Sequence, residues 1–163
     1  MKNIFILILL STGINFTQAQ NYSKAADCSN AIDLSTFKSG RLPPPIGYGE
    51  VKEIQGFNLK SKHFFTEEHN TYWFEATFEI DTKFEMILTP EYADDDYDFL
   101  IFYDSTGNFC DDIANKAILP VRTNMSRVNP EQGSVTGLKS GARKIYEVAG
   151  KGDAYSKPLY AVA

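Results

Sequence analysis

Apolar and polar residues alternate with a period of two through the middle of the chain. In TYWFEATFEID, Tyr72, Phe74, Ala76, Phe78 and Ile80 fall on one face and Glu75, Thr77 and Glu79 on the other, which suits a half-buried strand and not a helix. Asp81, Thr82 and Lys83 supply a turn, and FEMILTP resumes the alternation with Phe84, Met86 and Leu88 inward, so the two runs predict a hairpin. Beyond Pro90 and an acidic stretch, Asp98 to Tyr103 is apolar on both sides in its middle, the mark of a central strand covered on both faces. Asp104 to Asn108 is a turn by composition, with Gly107 able to take positive φ. DDIANKAIL (111–119) reads as a short helix or irregular crossover, VRTNMS and KIYEVAG as further strands, and GSVTGLKSG as a turn-rich connection. Many short strands and few helix-period stretches, with nine Tyr, twelve Phe and one Trp, predict an all-β fold, an antiparallel β-sandwich.

The first residues follow a different pattern. Lys2 supplies a positive charge, Ile4 to Leu10 an unbroken apolar run, and Thr17-Gln18-Ala19 a small-residue end, the three parts of a secretory signal peptide. The run is shorter than the roughly 20 residues of a membrane-spanning helix. We therefore expect residues 1–19 to be a leader cut between Ala19 and Gln20, with no transmembrane helix left after its removal. Cys28 follows Asp27 well past the apolar run, so no lipid anchor is expected. Residues 20–26 read as a flexible lead-in and 27–163 as a single domain. The Pro43-Pro44-Pro45 stretch with Gly47 and Gly49 is a loop rather than a hinge, and neither a repeat nor a low-complexity linker interrupts the chain.

Charge and cysteines narrow the setting. The chain carries 16 Lys+Arg against 21 Asp+Glu, a net charge of −5 that becomes −6 when the leader takes Lys2 away, which argues against nucleic acid or an anionic membrane surface as the main partner. Cys28 and Cys110 are the two cysteines. Export to the periplasm, the outer-membrane surface or the extracellular space makes a disulfide their natural state, with two buried thiols as the alternative. Paired, they would close a long loop worth about 4–5 kcal/mol in the chain-entropy picture.

HNTYWFEATFEIDTKFEMILTP, DDDYDFLIFYDSTGNFC and VRTNMS with the later TGL together resemble the jelly-roll domain related to bacterial pre-peptidase C-terminal domains, in the version found in secreted and outer-membrane proteins of Bacteroidota. The resemblance runs from Asp27 to about Ala163 and rests most on the Trp73 strand and the Asp-Asp-Tyr-Asp-Phe strand start. It implies a noncatalytic accessory module, placed before OmpA-like modules or in surface proteins carrying a sorting domain. The chain departs from it at AYSKPLYAVA, where similar proteins run on through another strand pair. This implies a jelly-roll-like sandwich lacking its last strands, with a sheet edge left open.

The candidate chemistry is sparse. Asp94, Asp96 and Asp98 would point the same way on an extended chain, and calcium takes roughly six to eight oxygen ligands, so these three form a candidate calcium site. An EF-hand is excluded, because Phe99 stands where the sixth position of a loop starting at Asp94 needs glycine. The competing reading is architectural, with Asp96 and Asp98 accepting backbone N–H groups at the strand start and Asp94 and Asp95 solvated. His63 and His69 lack zinc-helix spacing, and Glu67 and Glu68 do not complete H-E-x-x-H. Ser134, Thr136 and Ser140 match neither a nucleophile elbow nor a phosphate loop. Tyr72, Trp73, Phe64 and Phe65 would form a glycan-stacking platform if exposed, and core if buried. Asp104-Ser105-Thr106 resembles the short Asp-Ser/Thr-x signal for O-linked glycans in Bacteroidota. The expected function is a noncatalytic secreted or envelope accessory domain, the N-terminal part of a larger surface protein. Its partners would be sibling domains or a surface polymer. The alternative is a glycan- or protein-binding module acting alone and stabilised by calcium.

Overall fold

The computed structural model describes residues 2–9, 22–35, 40–56, 65–127 and 134–161. Its strands are β1 (Lys2–Leu9), β2 (Ile32–Asp33), β3 (Thr71–Phe78), β4 (Thr82–Phe84), β5 (Met86–Leu88), β6 (Asp98–Asp104), β7 (Arg122–Arg127), β8 (Thr136–Leu138), β9 (Tyr146–Lys151), β10 (Tyr155–Ser156) and β11 (Leu159–Ala161); the short helix α1 (Phe109–Ala114) follows β6. The strands form a six-stranded sheet in the order β2-β3-β1-β6-β7-β9, a three-stranded sheet β10-β8-β5 and a β11-β4 pair. The fold is all-β and sandwich-like, with parallel pairs at β2·β3, β7·β9 and β8·β10 and antiparallel pairs elsewhere.

The six-stranded sheet is covered on both faces. Ile6, Ile8, Tyr72, Phe74, Ala76, Phe99 and Ile101 pack with Leu138, Leu159 and Ala161 of the smaller sheets, and Phe84, Met86 and Leu88 close this core as their alternation predicts. On the opposite face Leu7, Trp73, Leu100 and Phe102 pack with Cys28, Ile54, Phe109 and Ile113. Trp73, Phe102 and Phe109 meet there as an aromatic trio, with ring centroids 6.0–6.3 Å apart. β6 is thus the central, two-sided strand its sequence predicts, and Asp104 to Asn108 turns as expected, with Gly107 at φ 76°.

In the full chain the apolar run of the expected leader pairs as β1, with β3 over Lys2–Leu9 and with β6 over Asn3–Leu9. Several other elements differ from expectation. The 72–90 hairpin does not form: β3 pairs with β1 and β2, while β4 and β5 cross to the smaller sheets, because both edges of β3 are already taken. Ile80 lies in the turn beyond β3 and is 73% exposed. Residues 22–26, expected as part of a flexible lead-in, form a 3₁₀ turn with Ala25 and Ala26 buried, Ala25 in the core that Tyr22 and Tyr72 share. GSVTGLKSG carries β8 rather than connection alone. A Cβ at Gly137 would stand 2.1 Å from the Met86 carbonyl oxygen, so only glycine permits that close β5·β8 pairing.

Candidate functional site

The acidic stretch enters β6 from an exposed turn. Asp95 N–H donates to the Tyr92 carbonyl at 3.1 Å, and the buried Ser134 hydroxyl donates to the Ala93 carbonyl, pinning the loop to the start of the β8 segment. Asp94 is exposed, whereas Asp95, Asp96 and Asp98 are half-buried; Asp96 and Asp98 are each engaged by other groups of the protein. Partial burial, then the charges of Asp94 and Glu91, raise the Asp95 carboxyl, and burial with the charges of Asp95 and Glu91 pushes the Tyr97 phenol up to about 12. Among the described residues no three His, Cys, Asp or Glu side chains come together as a metal ion would need them, Asp94, Asp96 and Asp98 included.

A second acidic group, which no spacing in the sequence marks, lies inside the protein. Asp27, Glu53 and Glu68 are buried beside Cys28. Gly49 takes φ 80° and leaves room for the Asp27 carboxylate, which accepts the Glu50 and Val51 N–H groups at 2.8 and 2.9 Å. Glu53 Oε1 accepts the Cys28 N–H at 2.8 Å, and Glu68 Oε2 accepts the Glu53 N–H at 3.1 Å. The remaining oxygens, Glu53 Oε2 and Glu68 Oε1, are buried with no donor if both groups are ionised. A proton shared between the two carboxyls would satisfy both oxygens. Desolvation and the Glu53 charge push Glu68 up to about 9, and desolvation likewise raises Glu53. Chain pairing assembles the group: Glu68 N–H donates to Ile54 O and Gly56 N–H to Thr66 O, bringing 53–56 against 66–68.

Cys28 and Cys110 are joined as a disulfide across a sequence separation of 82, with Cα atoms 5.7 Å apart. Beside the bridge lies an open cleft of about 420 Å³ whose lining includes Ser29, Glu75, Asp104, Asn108 and Asp111. The cleft contains neither a histidine nor any of Asp27, Glu53 and Glu68. His69 is exposed and 3.6 Å from Glu67. Trp73 and Tyr72 are core residues and Phe65 packs partly buried against the Trp73 side, so none of these three offers a surface stacking platform. Asp104 Oδ1 accepts the Thr106 and Gly107 N–H groups, and the Thr106 hydroxyl donates to Asp112, which makes Asp104-Ser105-Thr106 part of a folded turn. Ser140 bridges the Lys83–Glu85 ion pair, and Thr136 donates to the Ala154 carbonyl at 3.0 Å. The Ala19–Gln20 junction, His63 and Phe64 lie outside the described residues. No family model, curated protein or solved structure matches this chain.

Proposed function

We propose that the protein is an exported, noncatalytic accessory domain of the cell envelope, the N-terminal part of a larger surface protein that works through contacts with sibling domains or a surface polymer. The observation that carries this reading is the Cys28–Cys110 bridge, because such bridges persist in oxidising compartments. The charged, then apolar, then small-residue order of residues 1–19 supports it from the sequence side. The interior carboxylates hold backbone N–H groups rather than facing a cleft, and this favours architecture over acid–base work. The test is intact mass and thiol titration of the protein made from its full chain in a bacterial host. The expected product is exported, begins at Gln20 and has no free thiol. A product retained in the cytoplasm with Met1 and two thiols would sink the reading.

A further inference from the structure

The two sulfurs of the Cys28–Cys110 bridge lie in unlike surroundings. Cys28 is 1% exposed and belongs to the core of Leu7, Ile54, Trp73 and Phe102. Cys110 is only half-buried at the margin of that core, in the first turn of α1. Both cysteines border the open cleft of about 420 Å³, and Asp111, the exposed neighbour of Cys110, forms part of its wall. A small reagent entering the cleft therefore meets the Cys110 end of the bridge, while packed apolar side chains cover the Cys28 end.

Thiol–disulfide exchange discriminates between two sulfurs by access and by the ease with which the other leaves as thiolate. Attack at Cys110 expels Cys28 into the apolar core, beside the Asp27, Glu53 and Glu68 carboxyls. Burial and negative neighbours both disfavour that anion, so the bridge is open to exchange at one end and slow to undergo it. The wall of the cleft adds a filter by charge. Glu75, Asp104 and Asp111 help to line it, and no Lys, Arg or His among the described residues does. The attacking species is itself a thiolate. A thiol that also carries a carboxylate brings two negative charges to this wall, whereas one that carries an ammonium group brings no net charge.

We propose that Cys110 is the exchange-reactive sulfur of the bridge and that the cleft beside it selects small cationic thiols over anionic ones. The proposal needs the bridge and not the envelope reading. In the first step the sulfur of the attacking thiolate bonds to Cys110 Sγ as the Cys28–Cys110 bond breaks. The electron pair of that bond passes to Cys28 Sγ, which takes a proton from water. A second thiolate then attacks the reagent's sulfur in the mixed disulfide and releases Cys110 as thiolate, so that two thiols are oxidised to their disulfide as one bridge is reduced.

The test follows reduction of the oxidised protein by cysteamine, mercaptoethanol and mercaptopropionate, three thiols of similar size and different charge, with intact mass after acid quench and alkylation as the readout. Rates at low salt and one fixed pH are taken per thiolate and divided by those of the same thiols on hydroxyethyl disulfide, which removes their intrinsic nucleophilicity. We expect cysteamine to exceed mercaptopropionate by roughly tenfold or more, with mercaptoethanol between them. The spread should collapse near about 1 M salt, where the screening length falls to about 3 Å. Asp111→Lys should narrow or invert the order while the melting midpoint of the oxidised protein stays nearly unmoved. Should that variant unsettle α1, Asp111→Asn tests the same charge with a smaller narrowing. Equal normalised rates for the three thiols overturn the proposal. So does a single rate that is independent of thiol concentration and equal to that of global unfolding, because neither result passes through the cleft. In samples quenched partway, the mixed disulfide is expected on Cys110 with Cys28 free, and one found chiefly on Cys28 overturns the assignment. Where the second exchange outruns the quench, the order of rates in the Asp111 variants decides alone.

Discussion

The middle of the large sheet and its β7–β9 margin are held by opposite means. Around β3, β1 and β6 the contacts are apolar on both faces, with Trp73, Phe99, Leu100, Ile101 and Phe102 fully buried. Along β7 the buried side chains are Thr123, Asn124, Met125 and Ser126, and two of them, Asn124 and Ser126, grip the returning chain by its backbone. Asn124 donates to the Asp153 and Ala154 carbonyls at 3.2 and 3.1 Å, the Ser126 hydroxyl donates to Asp153 O at 2.8 Å, and the Ser156 hydroxyl donates to Thr123 O at 2.7 Å. Arg122 donates to the Lys157 and Pro158 carbonyls, each at 2.9 Å. Apolar burial is non-directional and tolerates any side chain of the right volume, whereas hydrogen bonds demand particular atoms at particular distances. The middle of the sheet therefore tolerates exchange among apolar side chains of similar volume, and the margin fixes one register.

The largest effect should come from breaking the apolar middle. Trp73→Ala in the full chain is expected to lose about 3–5 kcal/mol by urea unfolding, from lost burial plus the cavity left among Phe102, Phe109 and Leu7. Removing the bridge with Cys28→Ser and Cys110→Ser should cost about 2–5 kcal/mol, read by the same titration against the oxidised parent. A loss under 1 kcal/mol would mean that the apolar contacts alone hold the two cysteine-bearing segments together.

The carboxylate pair sharpens the comparison through pH. Glu68 sits near 9 in the folded protein against an ordinary carboxyl value of 4.5, so its contribution is fully present below about 4.5 and is lost as pH rises towards 9. Glu68→Gln keeps an oxygen to accept the Glu53 N–H and gains a donor towards Glu53. It should melt close to wild type at pH 4.5 and exceed it by about 1–3 kcal/mol at pH 8. Equal melting curves at pH 8 would show that the proton is not held. On the polar margin, Asn124→Ala should cost about 1–2 kcal/mol and speed proteolysis near 153–156, a local loss that apolar truncations would not produce. The smallest effect is expected from calcium. Because Asp94, Asp96 and Asp98 are not gathered into a ligand set, millimolar calcium or chelator should leave the melting midpoint unmoved, and a clear upward shift with calcium would revive the metal reading.

What the sequence made legible was local. The alternation of Tyr72, Phe74, Ala76 and Phe78, the two-sided Phe99–Phe102 run and the Asp104–Asn108 turn depend on neighbours a few residues apart, and each stands in the fold. The sandwich class follows from these. Long-range pairing was hidden. An apolar run such as Ile4 to Leu10 looks the same in a leader and in a strand buried on both faces, and nothing in FEMILTP tells that its partners are β11 and β8 rather than β3. Glu53 and Glu68 were invisible as a pair for the same reason: the bridge between Gln55 and Glu67 brings them together, and no motif records it. Gly137 did carry a signal, since an isolated glycine among β-favouring residues marks close backbone approach.

The disulfide also has a mechanical meaning. If the domain is pulled through its chain, as the envelope reading implies, a load applied at Tyr22 and Ala161 would pass across the Cys28–Cys110 bond instead of along the 81 residues between the two cysteines. Those residues hold β2 to β6, and roughly 270–300 Å of extensible length is locked away from the pull. Under tension the β7–β11 segment would yield first, with its directional hydrogen bonds loaded one after another, while the enclosed part of the sheet stays folded until the bridge is reduced.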